Sequence, residues 1–130
     1  MEPWEIREWF GEYLEALNRH DLERVRELVD TGVRRAHLPG GADAWVTDLA
    51  DLFEGFPDWQ WRRIQLLVED DRLAVHLRAS GTHTGPFRGT APTRRHVNVA
   101  EFGFYRVLRG RVVEFSGTAD LEQIAAQLSP

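Results

Sequence analysis

Apolar positions change their spacing once along this chain, and the change divides it into two kinds of structure. Up to residue 55 they recur at intervals of three and four. Ile6, Trp9, Phe10, Tyr13, Leu14 and Leu17 fall on one side of a helix over 3–18, with Pro3 in its first turn. Glu5, Arg7, Glu12 and Glu15 take the other side. Asn18-Arg19-His20-Asp21 interrupts this pattern, and Asp21 is suited to cap a second helix running to about residue 29. Leu22, Val25, Leu28 and Val29 form its apolar side, and Thr31-Gly32 ends it. The stretch 33–41 predicts a short strand mixed with loop, broken at Pro39-Gly40-Gly41. A third helix over 42–54 buries Trp45, Val46, Leu49, Leu52 and Phe53, and Gly55 and Pro57 stop it.

From Trp59 onward the period falls to two. The pattern predicts strands over 59–69, 72–84, 96–108 and 111–119, with tight turns at Asp70-Asp71 and Arg109-Gly110. A Gly/Pro-rich loop over 85–95 joins the middle pair, and a short amphipathic helix over 121–128 closes the chain. Helices followed by an antiparallel meander predict α+β architecture. Strands this long twist and curl. The expected form is a cone-shaped curled antiparallel sheet with the N-terminal helices packed on its concave face and a ligand pocket inside. A length of 130 residues fits one domain over 1–130.

Composition narrows the chemistry. The chain has no cysteine, which removes disulfides, thiolate nucleophiles and cysteine-based zinc sites. All 16 basic residues are arginine, so lysine Schiff-base chemistry is excluded. Many Arg, Ala and Gly with no Lys point to a high-GC bacterial genome. The net charge is −5 and no basic block exceeds two residues, which argues against a nucleic-acid surface. No apolar run approaches the roughly 20 residues of a membrane span. The N-terminus carries no basic-then-apolar signal, so the expectation is a cytoplasmic protein that does not enter a membrane.

Several segments together resemble a known family. They are Asn18-x-His20-Asp21, Phe56-Pro57-Asp58, Gly81-Thr82-His83-Thr84-Gly85-Pro86-Phe87, Ala91-Pro92-Thr93, Phe104-Tyr105-Arg106, Arg109-Gly110-Arg111-Val112-Val113-Glu114 and Asp120. In this order and spacing the chain resembles the SnoaL-like polyketide cyclases, within the nuclear-transport-factor-like cone superfamily. The resemblance implies a cone fold, usually a homodimer, with no metal or organic cofactor and a hydrophobic small-molecule ligand. It implies ring closure by intramolecular aldol condensation, with Asp120 as the acid/base. Arg106 stands where those cyclases carry a pocket histidine. Phe115-Ser116 follows Glu114 where the broader family often has His-Trp.

Each candidate residue has a second reading. Asp120 can exchange protons with a carbonyl substrate, or cap the last helix through Asp120-Leu121-Glu122-Gln123. His83, in line with Leu73, Val75, Leu77, Ala79 and Gly81, points toward the interior or mouth of the cone. There it can transfer a proton or bond to the 85–95 loop. Arg106, sharing a face with Phe102 and Phe104, can hold a ligand oxygen or pair with Glu101, Glu114 or another acid. Tyr13 can donate to a ligand or sit satisfied in the core. Trp45, Phe102 and Phe104, with Trp9, Trp59 and Trp61, can wall a pocket or fill a core. His20-Asp21 lacks the further ligands of a metal site. Two functions therefore stay open: a cofactor-free cyclase or isomerase, and a non-catalytic ligand-binding or dimerisation cone.

Overall fold

The computed structural model describes residues 1–36, 38–118 and 120–130, the side chain of Asp120 excepted. In chain order the elements are α1 (Pro3–Asn18), α2 (Leu22–Glu27), β1 (Val29–Arg35), α3 (Ala42–Gly55), β2 (Gln60–Glu69), β3 (Arg72–Thr82), β4 (His96–Leu108), β5 (Arg111–Gly117) and α4 (Asp120–Leu128). β2 to β5 form the antiparallel meander, turning at Asp70 and at Arg109-Gly110, where the backbone takes positive φ. Among the described residues no helix is long and apolar enough to cross a membrane.

Two details depart from the sequence pattern. The sheet is mixed: β1 joins it parallel to β5, giving the order β1-β5-β4-β3-β2. α2 also stops at Glu27 rather than near 29. Leu28 and Val29 are buried, the Val112 N–H donates to the Leu28 carbonyl (2.9 Å), and Val29 pairs with Val112. Strand pairing thus takes over where helical spacing alone would continue. Asp21 caps α2 as expected, accepting from the Arg24 N–H at 3.0 Å.

Inward-facing side chains alternate along β3 and through most of β4. Leu73, Val75, Leu77 and Ala79 of β3 share a layer with Val97, Val99, Tyr105 and Val107 of β4. α1 lies against this layer. Phe10 and Tyr13 each meet the Tyr105 ring edge-on at 5.9 Å, and Trp9 Nε1 donates to the Gly110 carbonyl at 2.7 Å. A fully buried side chain such as Ile6 or Phe10 contributes roughly 1.5–3 kcal/mol.

β2 is an edge strand, and its free edge is covered by the α1–α2 corner. The Asn18 side chain accepts from the Trp61 N–H (2.8 Å) and donates to the Trp61 carbonyl (3.0 Å). His20 Nε2 lies 2.7 Å from the Trp59 carbonyl, which fixes the proton on that nitrogen, and its ring stacks on Phe53 at 3.7 Å. Asn18-x-His20-Asp21 is thus a clamp between helix layer and sheet.

The opposite face of the sheet carries Phe102, Phe104 and Arg106, and this corrects the expectation that they line an interior pocket. Phe104 pairs across Ala74 and Ser116, and Arg106 across Arg72 and Glu114. Their neighbour Tyr105, one residue away, is the one that faces inward. A bulge opposite Arg106/Val107 falls at Val113, four residues before Gly117, and after it Phe115 and Gly117 face inward with Tyr105 and Gly103. The strand ends at Gly117, so strand alternation does not govern Asp120.

Arg106 does form the ion pairs foreseen as its second reading. It bonds to Asp71 (3.0 Å) and Glu114 (3.4 Å), and Glu114 also accepts from Arg34. The Arg106 hydrogen bond holds the Asp71 carboxyl below its ordinary range. For Glu114, desolvation pushes the other way but is outweighed by Arg34, Arg106 and Arg72, and the net shift is downward. Carboxylates lowered in the fold add stability that is present above about pH 4 and lost as pH falls through their folded values. These groups are partly exposed, so solvent weakens each pair. In an Arg106→Gln variant the difference between urea midpoints at pH 7 and pH 3 should be smaller than in wild type. An unchanged difference would show that the cluster carries no pH-linked stability.

Candidate functional site

Two concavities flank the sheet. The outer one, about 780 Å³, is lined by Phe104, Leu67 and the charged set Arg34, Arg72, Arg106 and Glu114. The inner one, about 520 Å³, lies between the helices and the concave face. Its wall is Tyr13 and Leu17 from α1, Trp45, Leu49 and Leu52 from α3, Trp59 and Trp61 around the start of β2, Tyr105 and Phe115 from the sheet, and Leu121 and Ile124 from α4. An apolar, aromatic wall with few polar groups is the usual character of a small-molecule site, and this favours the inner cavity although the outer one is larger.

The polar groups in that wall include Tyr13, Arg35, Asp48, Glu101, Thr118, Glu122 and the indoles. Tyr13 is buried at the centre of an aromatic stack, 5.3 Å from the Trp9 ring. Burial first, and then the charge of Glu101, push its hydroxyl well above the ordinary tyrosine value, against the opposing hydrogen bonds of Trp45 and Tyr105. It therefore stays a neutral phenol. Glu101, inward-facing on β4, accepts from Trp61 Nε1 at 2.9 Å. Trp59 Nε1 is buried with no hydrogen-bond partner among the described residues. Arg35, its side chain only 7% exposed, donates to Asp48 (2.7 Å) and the Pro39 carbonyl (2.8 Å). Its Nε is likewise without a partner among the described residues. An unmet buried donor costs about 1–3 kcal/mol.

The expected site residues separate. Tyr13 and Trp45 line the inner cavity. Phe102, Phe104 and Arg106 lie on the far face of the sheet, as described above. The side chain of Asp120 lies outside the described residues; its backbone begins α4, whose Leu121 and Ile124 reach the cavity. His83 lines neither cavity. It is fully buried, its ring against Phe56 with centroids 5.2 Å apart. The Thr93 N–H donates to His83 Nδ1 at 3.0 Å, with the Thr93 hydroxyl at 2.9 Å from the same nitrogen. This is the bond to the 85–95 loop that the sequence left as its alternative.

The Gly81–Phe87 segment closes one end of the cone by close approach. A Cβ on Gly81 would lie 2.8 Å from the Trp59 ring, and one on Gly85 would lie 2.0 Å from the Glu54 carbonyl oxygen. The Thr84 and Gly85 N–H groups both donate to the Gly55 carbonyl at the end of α3. The motif thus seats Trp59 and α3 against the sheet.

Sequence reading named Trp59 among possible pocket walls but passed over Glu101 and Arg35 as site residues. The signal for Glu101 was present: over the whole of β4, Val97, Val99, Gly103, Tyr105 and Val107 make the odd-numbered face inward, and Glu101 belongs to it. Among the described residues no group of three or more His, Asp or Glu side chains is arranged to hold a metal ion.

No curated protein matches the chain. Among solved structures it is similar to AclR from Streptomyces galilaeus, described as a candidate hydroxylase (TM-score 0.86, 23% identity, 98% of this chain and 82% of that one). It is also similar to IdmH from Streptomyces antibioticus, described as a candidate polyketide cyclase (TM-score 0.78, 27% identity, 95% and 97%). A SnoaL-like polyketide cyclase from Agrobacterium tumefaciens superposes with a TM-score of 0.80 at 23% identity, over 99% of this chain and 100% of that one. The family model of the SnoaL-like polyketide cyclases matches residues 8–128, nearly the whole chain, and with the curled sheet and its inner cavity this establishes that the chain belongs to that family.

Proposed function

We propose that this protein is a cofactor-free cyclase that binds a small aromatic or polyketide-like carbonyl compound in the inner cavity. Asp120 acts as general acid/base in an intramolecular aldol-type ring closure or a related isomerisation or hydration. The observation that carries this reading is the cavity wall. Flat faces of Trp45, Trp59, Trp61 and Tyr105 suit a ring system, and the few polar groups among them can orient it. Tyr13 adds a hydroxyl that stays protonated and can donate to a ligand oxygen. An aspartate carboxylate can take a proton next to a carbonyl and pass it to an oxygen. His83 serves this site as a positioning residue, holding the closing loop that backs Trp59.

An aromatic β-keto ester carrying a second, ring-forming ketone tests this reading. Wild type should accelerate its closure. Asp120→Asn should lower turnover at least about 100-fold, the lower end for a general acid/base. Asn caps a helix about as well as Asp, so the fold is retained. Unchanged turnover in that variant would remove Asp120 from the mechanism.

The outer face supports assembly as a homodimer. Phe104 is 66% exposed, Leu67 59% and Phe102 49%, with His76 stacked on Phe102 at 4.3 Å. These apolar side chains lie beside Arg34, Arg72, Glu114 and Glu69, so the face carries both signs of charge and can complement a two-fold copy of itself. Wild type should sediment as a dimer at micromolar concentration and Phe104→Glu as a folded monomer. A dimer that survives Phe104→Glu would place the contact elsewhere.

A further inference from the structure

We infer that Phe115 determines the specificity of the inner cavity: its ring limits how far a fused-ring ligand extends along the sheet, and the glycine pair Gly103–Gly117 sets how deeply that ring is seated. This rests on the reading that the cavity takes an aromatic carbonyl compound, and it names the size of the ring system as the property the site selects.

Among the described residues the aromatic side chains of the cavity wall are Tyr13, Trp45, Trp59, Trp61, Tyr105 and Phe115. Most are held by more than packing. Trp61 is bonded to Glu101, Tyr13 is hydrogen-bonded to Trp45 and Tyr105, and Trp59 is backed by Gly81. Phe115 carries no polar atom, so packing alone fixes its ring. It meets Trp45 edge-on at 5.4 Å and leans on Tyr105 at 4.9 Å. It is also half-buried where the other wall rings are buried, which leaves part of the ring open to an occupant.

The seat beneath this ring is bare backbone. Phe115 pairs across from Tyr105, and the next inward pair on the same two strands is Gly103 with Gly117. Glycine weakens a strand, and neither of these takes the positive φ that would require it. Space does require it. A Cβ on Gly103 would lie 3.0 Å from Tyr105 Cε1 and 3.1 Å from Phe115 Cε2. One on Gly117 would lie 2.8 Å from Phe115 Cζ and 2.7 Å from the Phe102 carbonyl oxygen. The Phe115 and Tyr105 rings therefore lie down over the glycines, and the room above them belongs to the cavity. A Cβ on Gly103 meets only ring atoms at these distances, so it lifts the Phe115 ring into that room. Removing the ring does the reverse. It opens a space the size of one benzene ring, and an apolar cavity of that kind stays dry and accepts an aromatic ring.

The test compares 2-tetralone, a two-ring aromatic ketone, with its linear three-ring homologue 3,4-dihydroanthracen-2(1H)-one. The Kd of each is read by isothermal titration calorimetry, and selectivity is the ratio of the two. Phe115→Ala should shift the ratio toward the three-ring ketone at least about tenfold, the lower end for a small group missing from an apolar pocket. Phe115→Leu keeps an apolar side chain in place, guards against a folding defect and should shift the ratio the same way by less. Gly103→Ala should shift it the opposite way, and adding Phe115→Ala to that variant should remove most of the opposite shift, because the ring to be lifted is gone. A ratio within about threefold of wild type in folded Phe115→Ala and Phe115→Leu overturns the role of Phe115 and leaves the carbonyl reading standing. A Gly103→Ala shift that persists undiminished without the Phe115 ring overturns the seating by the glycine pair. Binding of neither ketone by wild type or any variant overturns the carbonyl reading as well.

Discussion

The arrangement of the cavity depends on how an exposed sheet edge is finished. β2 ends the sheet, and an edge strand carries backbone N–H and C=O groups with no neighbouring strand. The Asn18 side chain supplies both missing partners to Trp61, and His20 supplies one to Trp59. A short piece of the helix layer thus stands in for a strand. The consequence reaches the site directly. With the backbone of Trp59 and Trp61 tied to the end of α1, both indoles stay at the cavity wall, and Trp61 Nε1 stays on Glu101. From the far end, the Gly81–Phe87 segment holds Trp59 through the close contact at Gly81.

Alternation along β4 then separates two surfaces of different character. One residue inward, Tyr105 packs on Phe10 and Tyr13 and closes the cavity floor. One residue outward, Phe104 and Arg106 meet solvent and the charged groups of β3 and β5. Strand geometry gives every residue a side, so the cavity wall and the exposed apolar face occupy neighbouring positions of one strand.

Much of this was legible in the sequence, for local reasons. Helical spacing in α1 and α3, the Asp21 cap, the turns at Asp70-Asp71 and Arg109-Gly110 and the period-two meander are all set by neighbours within a few residues. β1 was legible only as a short strand within 33–41; its start at Val29 and its parallel pairing were not, because its partner β5 lies some eighty residues later and Val29 and Val33 are too few to reveal a pattern. The face of β4 was misjudged because Phe102 and Phe104 are large and apolar. Their size outweighed the quieter series Val97, Val99, Tyr105 and Val107, which fixes the true interior. His83 points inward as its alternation implies, but Thr93 claims its Nδ1, and a contact with a loop ten residues away has no periodic signature.

The central claim is that an aromatic carbonyl ligand enters between the helices and the concave face. The chain holds five tryptophans, of which Trp45, Trp59 and Trp61 line that space, while Trp9 is bonded to Gly110 and Trp4 lies on the surface. Indole N–H resonances followed by ¹H–¹⁵N NMR as 2-tetralone is added report on all five at once. The account predicts saturable shifts for Trp45, Trp59 and Trp61 and none for Trp4 and Trp9. Shifts confined to Trp4 and Trp9, or no saturable shift at the three cavity indoles, would contradict it.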